Sequence, residues 1–592
     1  MIEKILIANR GEIAVRVMRT AKEMGIKTVA VYSDQDRDAY HTRFADEAYA
    51  LGGLTSAESY LNTQAILDVI DKSGAQAVHP GYGFYSENAD FARTLIEKGI
   101  IWVGPPPSAI ESMGDKISAR EVAIAADVSF VPGTKEPIKN VNEIIDFGNE
   151  HGFPVAIKAA YGGGGRGMRV VYKPEEAAEA FEAASREALA YFGRDEAYLE
   201  KYLVKPRHVE VQIFGDHHGN YVYLGTRDCS VQRRHQKLIE EAPAPFISAA
   251  IEAQMGEQAI AVAKKCGYTN AGTVEMLYVS ETEKSPAKFY FLEMNTRLQV
   301  EHCVSEEVTK RDFVAEQIKV ACGEPLSFTQ NDITITGHSI ECRINAENTH
   351  TGFTPSPGTI SSIKIAQGPG VRFDGGYESG DEVSQYYDNL IGKLIVWAPT
   401  RDEAIARLIR AIDETKIEGL HHTLGAQKEM LKHGAFSIGT HHTRWVEDNL
   451  DPSLWADESE DEASQASASN NLEPQEFPVE VNGKRFSVKM YLPEMQVSAP
   501  KKKQKSSKAK ASSGGAASSG SVTAPMQGTI ISINCSIGDK VEKGSTLCIL
   551  EAMKMENQIK APIDGVIKDL TVSTGDLVGA GDTLVVIEKE GA

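Results

Sequence analysis

Glu551-Ala552-Met553-Lys554-Met555-Glu556 lies near the middle of two sequence copies that are offset by 37 residues. Each copy alternates apolar and polar residues in short runs broken by Gly-Asp or Gly-Ser turns, which is typical of small antiparallel β units. Two such units bury one shared core, so the repeat predicts a small all-β sandwich over residues 521–592. The matching positions are Ala524-Pro525 and Ala561-Pro562, Gly528 and Gly565, Gly538-Asp539 and Gly575-Asp576, Val541 and Val578, Gly544 and Gly581, and Thr546-Leu547 and Thr583-Leu584.

Lys554 falls between the two copies, where the chain must turn back, and this position predicts a solvent-exposed amine. Most exposed lysines need no functional explanation. Two methionines flank this one, however, and exposed apolar side chains at a turn indicate a surface that another protein reads. Ala552-Met553-Lys554-Met555 resembles the attachment site of biotin carboxyl carrier domains. The resemblance implies that Lys554 carries covalent biotin; a lysine that carries lipoate usually has Asp before it and Ala after it.

Size and composition describe an acidic chain of several domains. At 592 residues it is too long for one core, and domains of about 100 to 200 residues predict roughly three to five of them. The formal charge of -21 argues against nucleic-acid binding. Seven cysteines without a CxxC pair favour reduced thiols in a cytoplasm. We expect neither a signal peptide nor a membrane-spanning segment.

The composition changes after Leu454, and residues 451–520 are predicted to be a linker. Residues 457–462 hold five acids in six positions, and 496–520 hold six lysines and no acid. A basic nucleic-acid patch is the alternative interpretation of the lysines, but an acidic chain favours a flexible tether with a reach of about 25 to 30 Å. Between them, residues 477–492 form a short β-like island in which Asn482-Gly483 predicts a hairpin.

A glycine-rich loop, Gly162–Gly167, follows a predicted strand at 155–160 and precedes another at 168–172. A dinucleotide fingerprint needs a helix after the glycines, and a P-loop ends in Gly-Lys-Ser/Thr, so both are rejected. A glycine hairpin closing over phosphates, with Lys158 supplying charge, is the functional interpretation. A surface turn without function is the alternative.

Two further strands, 273–278 and 289–295, predict a hairpin centred on residue 284, which places Glu275 opposite Glu293. Paired carboxylates repel unless a cation lies between them, and Asn295 shares the face of Glu293. Two carboxylates and an amide oxygen suit Mg²⁺ that bridges ATP phosphates. A solvated hairpin face is the alternative. The dense polar set that follows indicates the end of an active-site strand, with Arg297, Gln299, Glu301 and His302.

These motifs together resemble biotin carboxylase of the ATP-grasp superfamily, from residue 2 to about 450. The supporting segments are Met113–Lys116, the glycine loop, Glu200–Leu203, Arg227–Lys237, Glu293–Arg297 and Glu341–Glu347. The resemblance implies an α/β and α+β multidomain chain, an ATP-grasp biotin carboxylase followed by a linker and a biotinyl/lipoyl-like sandwich. Its divisions are an N-terminal α/β domain at 1–112, an ATP-grasp domain with a glycine-rich lid at 113–320, a carboxylase C-terminal domain at 321–450, the linker at 451–520 and the carrier domain at 521–592.

The resemblance also implies residue roles in the ATP-dependent carboxylation of biotin by bicarbonate. Glu301 acts as the base for bicarbonate, which Lys237, Arg297 and the Val300 backbone hold, and Arg343 stabilises the enolate-like oxygen of biotin. The implied ligands of Mg²⁺ or Mn²⁺ are Glu275, Glu293 and Asn295. The implied nucleotide-binding residues are Lys116, Lys158, Gly164, Gly165, His208, Gln232 and His235, with Glu200, Lys201, Tyr202 and Leu203 at the adenine.

The sequence departs from the family at Cys303-Val304-Ser305, where Pro-Val-Thr is usual. Because the rigid residue beside Glu301 is missing, slower turnover is expected. Nothing in the spacing supports Cys303 as a nucleophile. The adjacent pairs His421-His422 and His441-His442 are predicted to be solvated surface rather than metal sites.

We expect the α subunit of an acetyl-CoA or propionyl-CoA carboxylase, in a hetero-oligomer with a separate carboxyltransferase β subunit. Biotin protein ligase is a second expected partner, and residues 477–492 are a candidate docking element. Carboxyl transfer to pyruvate, urea or 3-methylcrotonyl-CoA is an alternative. A carrier protein with a degenerate ATP site is the non-enzymatic alternative.

Overall fold

The computed structural model describes residues 2–134, 136–159, 168–192, 197–281, 286–450, 473–481, 484–492, 521–525, 528–552, 555–579 and 581–588. The chain forms two compact units, the first mainly Met1–Pro452 and the second Ser453–Ala552 with Glu556–Ala592. Among the helices of those ranges, none is long and apolar enough to cross a membrane.

The first unit begins with a five-stranded parallel sheet in the order β3-β2-β1-β4-β5. Its central strands β1, β2 and β4 are short and mostly buried, as the inner strands of a parallel sheet require, whereas the edge strand β3 is partly exposed. The predicted strand–helix–strand start is confirmed. The strands are β1 (Lys4–Ile7), β2 (Lys27–Tyr32), β3 (Glu47–Ala50), β4 (Ala77–His79) and β5 (Ile101–Trp102), and the helices are α1 (Gly11–Glu23), α2 (Tyr40–Phe44), α3 (Thr63–Ser73), α4 (Ala89–Glu97) and α5 (Pro107–Gly114).

A smaller antiparallel sheet in the order β7-β6-β8 follows, and β6 and β7 flank the glycine loop. A strand therefore follows the glycines, as predicted, so the dinucleotide fingerprint is correctly rejected. Gly162–Gly167 themselves lie outside the described residues. The elements are α6 (Lys116–Ala125), α7 (Val141–His151), β6 (Val155–Ala159), β7 (Met168–Val171), a 3₁₀ turn (Pro174–Glu176), α8 (Ala177–Phe192) and β8 (Ala197–Lys201).

The largest sheet has eight strands in the order β13-β12-β9-β10-β11-β14-β21-β19. It begins with β9 (Arg207–Gly215), β10 (Tyr221–Arg233), β11 (Gln236–Ala242), β12 (Asn270–Val279) and β13 (Lys288–Asn295), and the helices here are α9 (Ala249–Lys265), α10 (His302–Thr309) and α11 (Phe313–Ala321), before a 3₁₀ turn (Gln330–Asp332).

The same sheet continues into the last third of the first unit through β14, β21 and β19. The strands are β14 (His338–Asn345), β15 (Glu347–Asn348), β16 (Thr354–Pro355), β17 (Gly358–Thr359), β18 (Ser362–Lys364), β19 (Val371–Gly375), β20 (Glu382–Val383), β21 (Leu390–Ala398) and β22 (Lys416–Glu418), and the helices are α12 (Arg401–Glu414), α13 (Leu424–Lys432), α14 (Gly434–Ser437) and α15 (Trp445–Asn449).

The boundaries expected at residues 112 and 320 both fall within helices, α5 and α11. The hydrogen-bonded pairing of β11 with β14 carries the large sheet across the second boundary. Adjacent chain segments therefore share one sheet here, and the site that this sheet holds draws on both of them.

The second unit includes an antiparallel hairpin of β23 (Glu473–Val481) and β24 (Lys484–Leu492). Val481 pairs with Lys484, so Asn482-Gly483, itself outside the described residues, connects the strands as predicted. The hairpin begins at 473 and not at 477 because Glu473–Glu476 pair with the far end of β24, a non-local match that local alternation does not reveal.

The carrier region is an all-β sandwich of two four-stranded sheets, β25-β32-β30-β27 and β29-β28-β26-β31, around one apolar core. The sandwich itself is as predicted, but each sequence copy does not form its own β unit. Strand β26 pairs with β31 and its repeat β30 pairs with β27, so each copy contributes to both sheets. The strands are β25 (Ser521–Thr523), β26 (Gly528–Ile533), β27 (Lys540–Val541), β28 (Thr546–Ala552), β29 (Met555–Lys560), β30 (Gly565–Leu570), β31 (Leu577–Val578) and β32 (Thr583–Glu588).

Candidate active site

A cavity of about 780 Å³ in the first unit holds most of the predicted site residues. The carboxyl ends of β1 and β4 supply one wall, at the point where the chain order of the parallel sheet reverses. The large sheet supplies the opposite wall. The predicted residues that line the cavity are His208, Gln232, His235, Lys237, Glu275, Glu293, Asn295, Arg297, Val300, Glu301 and Arg343.

The β12–β13 hairpin places Glu275 directly opposite Glu293, as predicted, although the register shifts by one residue between Glu275 and Met276. Glu275 is buried, whereas Glu293, near the end of β13, is exposed. The Asn295 amide donates to Glu275 Oε1 at 2.8 Å. Two carboxylates and an amide carbonyl on one face are the hard oxygen ligands that Mg²⁺ prefers, so this donor set fits the ion.

Lys237 on β11 joins the carboxylates of this wall. Its ammonium lies 2.8 Å from Glu210, 3.2 Å from Glu275, 3.2 Å from the Gln299 carbonyl and 2.5 Å from Glu301. Three acids around one ammonium leave the group with excess negative charge, which further cations must balance. Lys237 therefore orders Glu301 and Glu275 relative to one another.

His208 on β9 supplies one of those cations. Its Nε2 lies 3.2 Å from Glu275 and 3.6 Å from Glu210. Burial and the nearby Lys237 lower the pKa of His208, but Glu275 and Glu210 outweigh them and raise it to about 9. The imidazole is therefore protonated at neutral pH, which suits contact with anionic phosphate.

Arg343 on β14 bridges two acids at the far end of the cavity. Its Nε donates to Glu240 at 2.5 Å and its Nη2 donates to Glu301 at 2.9 Å. Burial raises the pKa of Glu240 to about 7, and the guanidinium of Arg343 opposes that rise. These two hydrogen bonds fix the plane of the Arg343 guanidinium. Arg343 contacts Oε2 of Glu301, and Lys237 contacts Oε1 of the same carboxylate.

Arg297 takes its orientation from the N-terminal sheet. Its Nε donates to Glu87 at 3.0 Å, and its Nη2 donates to Oδ1 of the Asn295 side chain at 3.1 Å. Glu87 also accepts from the backbone of Thr296 at 3.1 Å. The loop after β4 thus sets the end of strand β13.

His235 occupies a tight turn between β10 and β11 in a conformation that only glycine adopts freely. Arg234 and His235 have φ of 48° and 66°, the left-handed values of a two-residue hairpin turn. Non-glycine residues in this region carry strain that is typical of functional sites. The turn holds His235 exposed at the rim of the cavity.

The remaining predicted nucleotide contacts lie on the smaller sheet. Lys158 and Glu200 pair with each other at 2.6 Å, across β6 and β8. The Lys201 ammonium donates to the Gly152 carbonyl at 2.7 Å, and the Tyr202 amide donates to the Pro154 carbonyl at 3.2 Å. Leu203 follows, half-buried. Gly164, Gly165, Lys554 and the side chain of Lys116 lie outside the described part of the structure.

Sequence patterns did not single out several residues that line or support the cavity. By sequence, Glu210 on β9 and Glu240 on β11 are ordinary strand residues. Only the folded structure brings Glu210 into contact with Lys237 and Glu240 into contact with Arg343. Buried acids inside apolar strands were the only local signal. The others come from the N-terminal sheet and from the β20–β21 loop, Asn9, Arg10, Glu12, Tyr82, Gly83, Phe84, Asp388 and Asn389.

The prediction of a solvated surface is wrong for His441 and His442, since both are buried. His441 stacks on Phe436 with ring centroids 5.1 Å apart and lies 3.4 Å from Asp228. The contact with Asp228 comes from a distant segment, which the sequence of an adjacent pair does not show. His421 and His422 are half-buried.

Models of four protein families match the chain. They are Biotin carboxylase, N-terminal domain, at residues 1–110; Carbamoyl-phosphate synthase L chain, ATP binding domain, at 115–329; Biotin carboxylase C-terminal domain, at 341–448; and Biotin-requiring enzyme, at 520–587.

Curated and solved relatives agree with these matches. The biotin-dependent acyl-coenzyme A carboxylase alpha3 subunit of Mycobacterium leprae is 45% identical over 579 residues, covering 94% of this chain and 94% of its own. The propionyl-CoA carboxylase alpha chain of Ruegeria pomeroyi is 47% identical over 75% of this chain and 68% of its own. The crystallised biotin carboxylase domain of Hydrogenobacter thermophilus 2-oxoglutarate carboxylase, in complex with MgADP, ADP and bicarbonate, is 44% identical with a TM-score of 0.67, covering 77% of this chain and 100% of its own.

The fold and the cavity define an ATP-grasp biotin carboxylase that is joined, on one chain, to a biotin-requiring domain. The chain belongs to the family of α subunits of biotin-dependent carboxylases. It is an enzyme component, a ligase with an ATP-binding domain at 115–329.

Proposed function

We propose that this chain is the α subunit of an acyl-CoA carboxylase that serves acetyl-CoA or propionyl-CoA on a separate carboxyltransferase subunit. The observation that carries the proposal is the alignment with the acyl-CoA carboxylase alpha3 subunit, which spans the carboxylase region and the biotin region together. The name of that relative as a subunit supports a hetero-oligomer. Biotin protein ligase is the enzyme proposed to attach biotin at Lys554.

Nucleotide binding is proposed to use residues of the small sheet together with residues that line the cavity. Lys116, Lys158, His208, Gln232 and His235 contact ATP, Glu200–Leu203 hold the adenine, and the loop with Gly164 and Gly165 closes over the phosphates. The division at residues 113–320 thus holds the nucleotide, and closure excludes water from a hydrolysable intermediate.

The Mg²⁺ ligands are proposed to be Glu275, Glu293 and Asn295. The ion, when bound, neutralises phosphate charge during phosphoryl transfer. His208 and Lys237, which lie beside Glu275, add fixed positive charge to the same wall.

Bicarbonate activation is proposed to use Glu301 as general base. Bicarbonate is a weak electrophile, and phosphorylation to carboxyphosphate creates a good leaving group. Lys237, Arg297 and the Val300 backbone hold the anion, while Glu301 accepts its proton as the oxygen attacks the γ-phosphorus of ATP and ADP leaves. The 2.5 Å contact between Lys237 and Glu301 supports this pairing of anion holder and base.

Arg343 is proposed to face the ureido group of biotin. Biotin, when bound, would supply the ureido nitrogen that takes up CO₂ after carboxyphosphate breaks into CO₂ and phosphate. The phosphate would take the ureido proton, which would leave negative charge on the neighbouring oxygen. Arg343, held by Glu240 and Glu301, offers a fixed cation to that charge.

The decisive experiment measures ADP release from ATP and bicarbonate by biotinylated full-length protein. Release that depends on Lys554 supports the proposal, and Lys554→Arg removes both the biotin mass adduct and the biotin-dependent rate. No release by the biotinylated chain would support a carrier with a degenerate ATP site instead. Turnover of acetyl-CoA against propionyl-CoA by the co-purified complex then tests the acyl group, and turnover of neither overturns that assignment.

A further inference from the structure

A lysine outside the predicted site is buried directly behind the catalytic turn. Lys393 lies on β21, and its side chain has no exposed surface. Burial of an ammonium is costly unless its donors are satisfied and its charge is balanced. Its Nζ donates to the Val300 carbonyl at 2.8 Å and to Cys303 Sγ at 3.1 Å, and lies 3.4 Å from Glu12.

These contacts join three separate parts of the fold at one point. Val300 and Glu301 form the turn between β13 and α10, and the helix begins at His302. Glu12 belongs to α1 of the N-terminal sheet region, and Lys393 belongs to the large sheet. The ammonium therefore fixes the backbone one peptide before Glu301, the residue whose carboxylate Lys237 and Arg343 contact.

Cys303 takes part in the same anchor. Burial raises the pKa of the Cys303 thiol well above its usual value, so the group stays protonated. Its S–H donates to Asp374 at 3.1 Å while its sulfur accepts from Lys393. Asp374 is held in turn by Arg372 at 2.7 Å. The residue two positions after Glu301 is thus fixed by side-chain contacts where the family usually has a proline ring.

We propose that Lys393 is a positioning residue for bicarbonate activation, which sets the Val300–Glu301 turn through the Val300 carbonyl. The inference rests on the roles proposed above for Val300 and Glu301. Burial acts to lower the pKa of Lys393, but the acids around it raise the pKa instead, so the ammonium stays charged. A neutral side chain in its place releases the turn and leaves Glu12 facing no cation.

The test is steady-state kinetics of biotinylated full-length Lys393→Met, with bicarbonate and ATP varied separately. A displacement of the turn by about 1 Å is expected to lower kcat/KM for bicarbonate by about 10- to 100-fold, with the KM for ATP unchanged. Cys303→Ala keeps the bond between Lys393 and Val300, so a smaller loss is expected. Lys364→Met, at an exposed position on β18, is the matched control and is expected to behave as the wild type.

Two outcomes overturn the inference. The first is an unchanged kcat/KM for bicarbonate in Lys393→Met. The second is an equal loss of kcat/KM for bicarbonate and for ATP together with a lower melting temperature, since that pattern reports general destabilisation. If Lys393→Met does not fold, the double variant Lys393→Met/Glu12→Gln removes the uncompensated charge, and wild-type bicarbonate kinetics there would overturn the inference equally.

Glu301→Gln separates this inference from the proposed function. Full bicarbonate-dependent turnover by Glu301→Gln would show that the roles proposed for the turn are wrong, whatever Lys393 does. Loss of turnover in Glu301→Gln beside unchanged kinetics in Lys393→Met would reject only the positioning role.

Discussion

Glu301 shows how one carboxylate remains ionised when its side chain is buried. Burial raises the pKa of Glu301, but Lys237 and Arg343 outweigh it and lower the pKa below its usual value. The carboxylate proposed as the base is therefore ionised at neutral pH, at the expense of basicity. When bicarbonate also contacts Lys237, as proposed, the attraction between Lys237 and Glu301 weakens. The basicity of Glu301 therefore rises when the proton of bicarbonate is to be removed.

Arg343→Lys is expected to separate the two chemical steps. Lysine keeps the positive charge but loses the planar fork that contacts Glu240 and Glu301 together. Biotin carboxylation is expected to fall by about 100-fold, because a fixed cation at the developing oxyanion is lost. Bicarbonate-dependent ADP release measured without biotin transfer is expected to remain.

Arg401→Lys is the matched control for Arg343. Arg401 also forks onto one buried acid, Glu241, at 2.6 and 2.9 Å, but that acid does not line the cavity. Its replacement is expected to lower the melting temperature and to leave the ratio of the two rates unchanged. Parallel losses of both rates in Arg343→Lys would contradict the assigned role.

At the scale of elements, the meeting of β11, β14 and α12 at Glu241 predicts a pH dependence of stability. Burial raises the pKa of Glu241, but hydrogen bonds from His338 and Arg401 lower it to about 2, against 4.5 for the free group. A depressed folded-state pKa stabilises the fold at pH values above 4.5, and this contribution is lost as the pH falls toward 2.

The contribution of Glu241 is about 3 kcal/mol at neutral pH, which follows from the difference between its pKa of about 2 in the folded state and 4.5 for the free group. Glu241→Gln is therefore expected to flatten the fall in unfolding free energy between pH 5 and 3, measured by urea denaturation. An identical slope in variant and wild type would show that the acid is not held in its ionised form.

The carrier sandwich repeats its turns as well as its strands. Gly538 and Gly575, 37 residues apart, have φ of 96° and 95°, and each amide donates to an isoleucine carbonyl of the opposite copy. Nothing lies where a Cβ would be placed at either glycine, so substitution costs backbone strain alone. Gly538→Ala and Gly575→Ala are each expected to lower stability by about 1 to 2 kcal/mol.

Calorimetry of the full chain measures this cost in the carrier transition. Gly425, in helix α13 and also with open space around it, is the control, because alanine is favourable in a helix. Unequal losses at Gly538 and Gly575 would show that the two copies are not equivalent in energy.

Across the whole molecule, local patterns predicted what depends on neighbouring residues. Counting outward from residue 284 gave the opposition of Glu275 and Glu293, and the register confirms it. Local patterns did not predict Lys393 behind the catalytic turn, because that contact joins residues 93 positions apart. The strand exchange between carrier copies was missed for the same reason, since alternation fixes strands but not partners.

The separation of loading site and carrier on one chain predicts complementation between variants. Lys554→Arg keeps the carboxylase residues but lacks the lysine proposed to carry biotin, whereas Glu301→Gln keeps that lysine but lacks the proposed base. A mixture of the two is expected to fix label from bicarbonate on the Glu301→Gln chain, while neither variant does so alone. The flexible tether of 25 residues that the sequence predicts at 496–520 would hold the carrier at an effective concentration on the order of millimolar. At about 1 μM of each chain, the mixed rate is therefore expected to be about 1,000-fold below the wild-type rate and to rise in proportion to concentration.

A mixed rate that equals the wild-type rate and does not change on dilution would contradict this prediction. It would show that each carrier is loaded by a neighbouring chain, and that the tether does not determine how often the carrier meets its loading site.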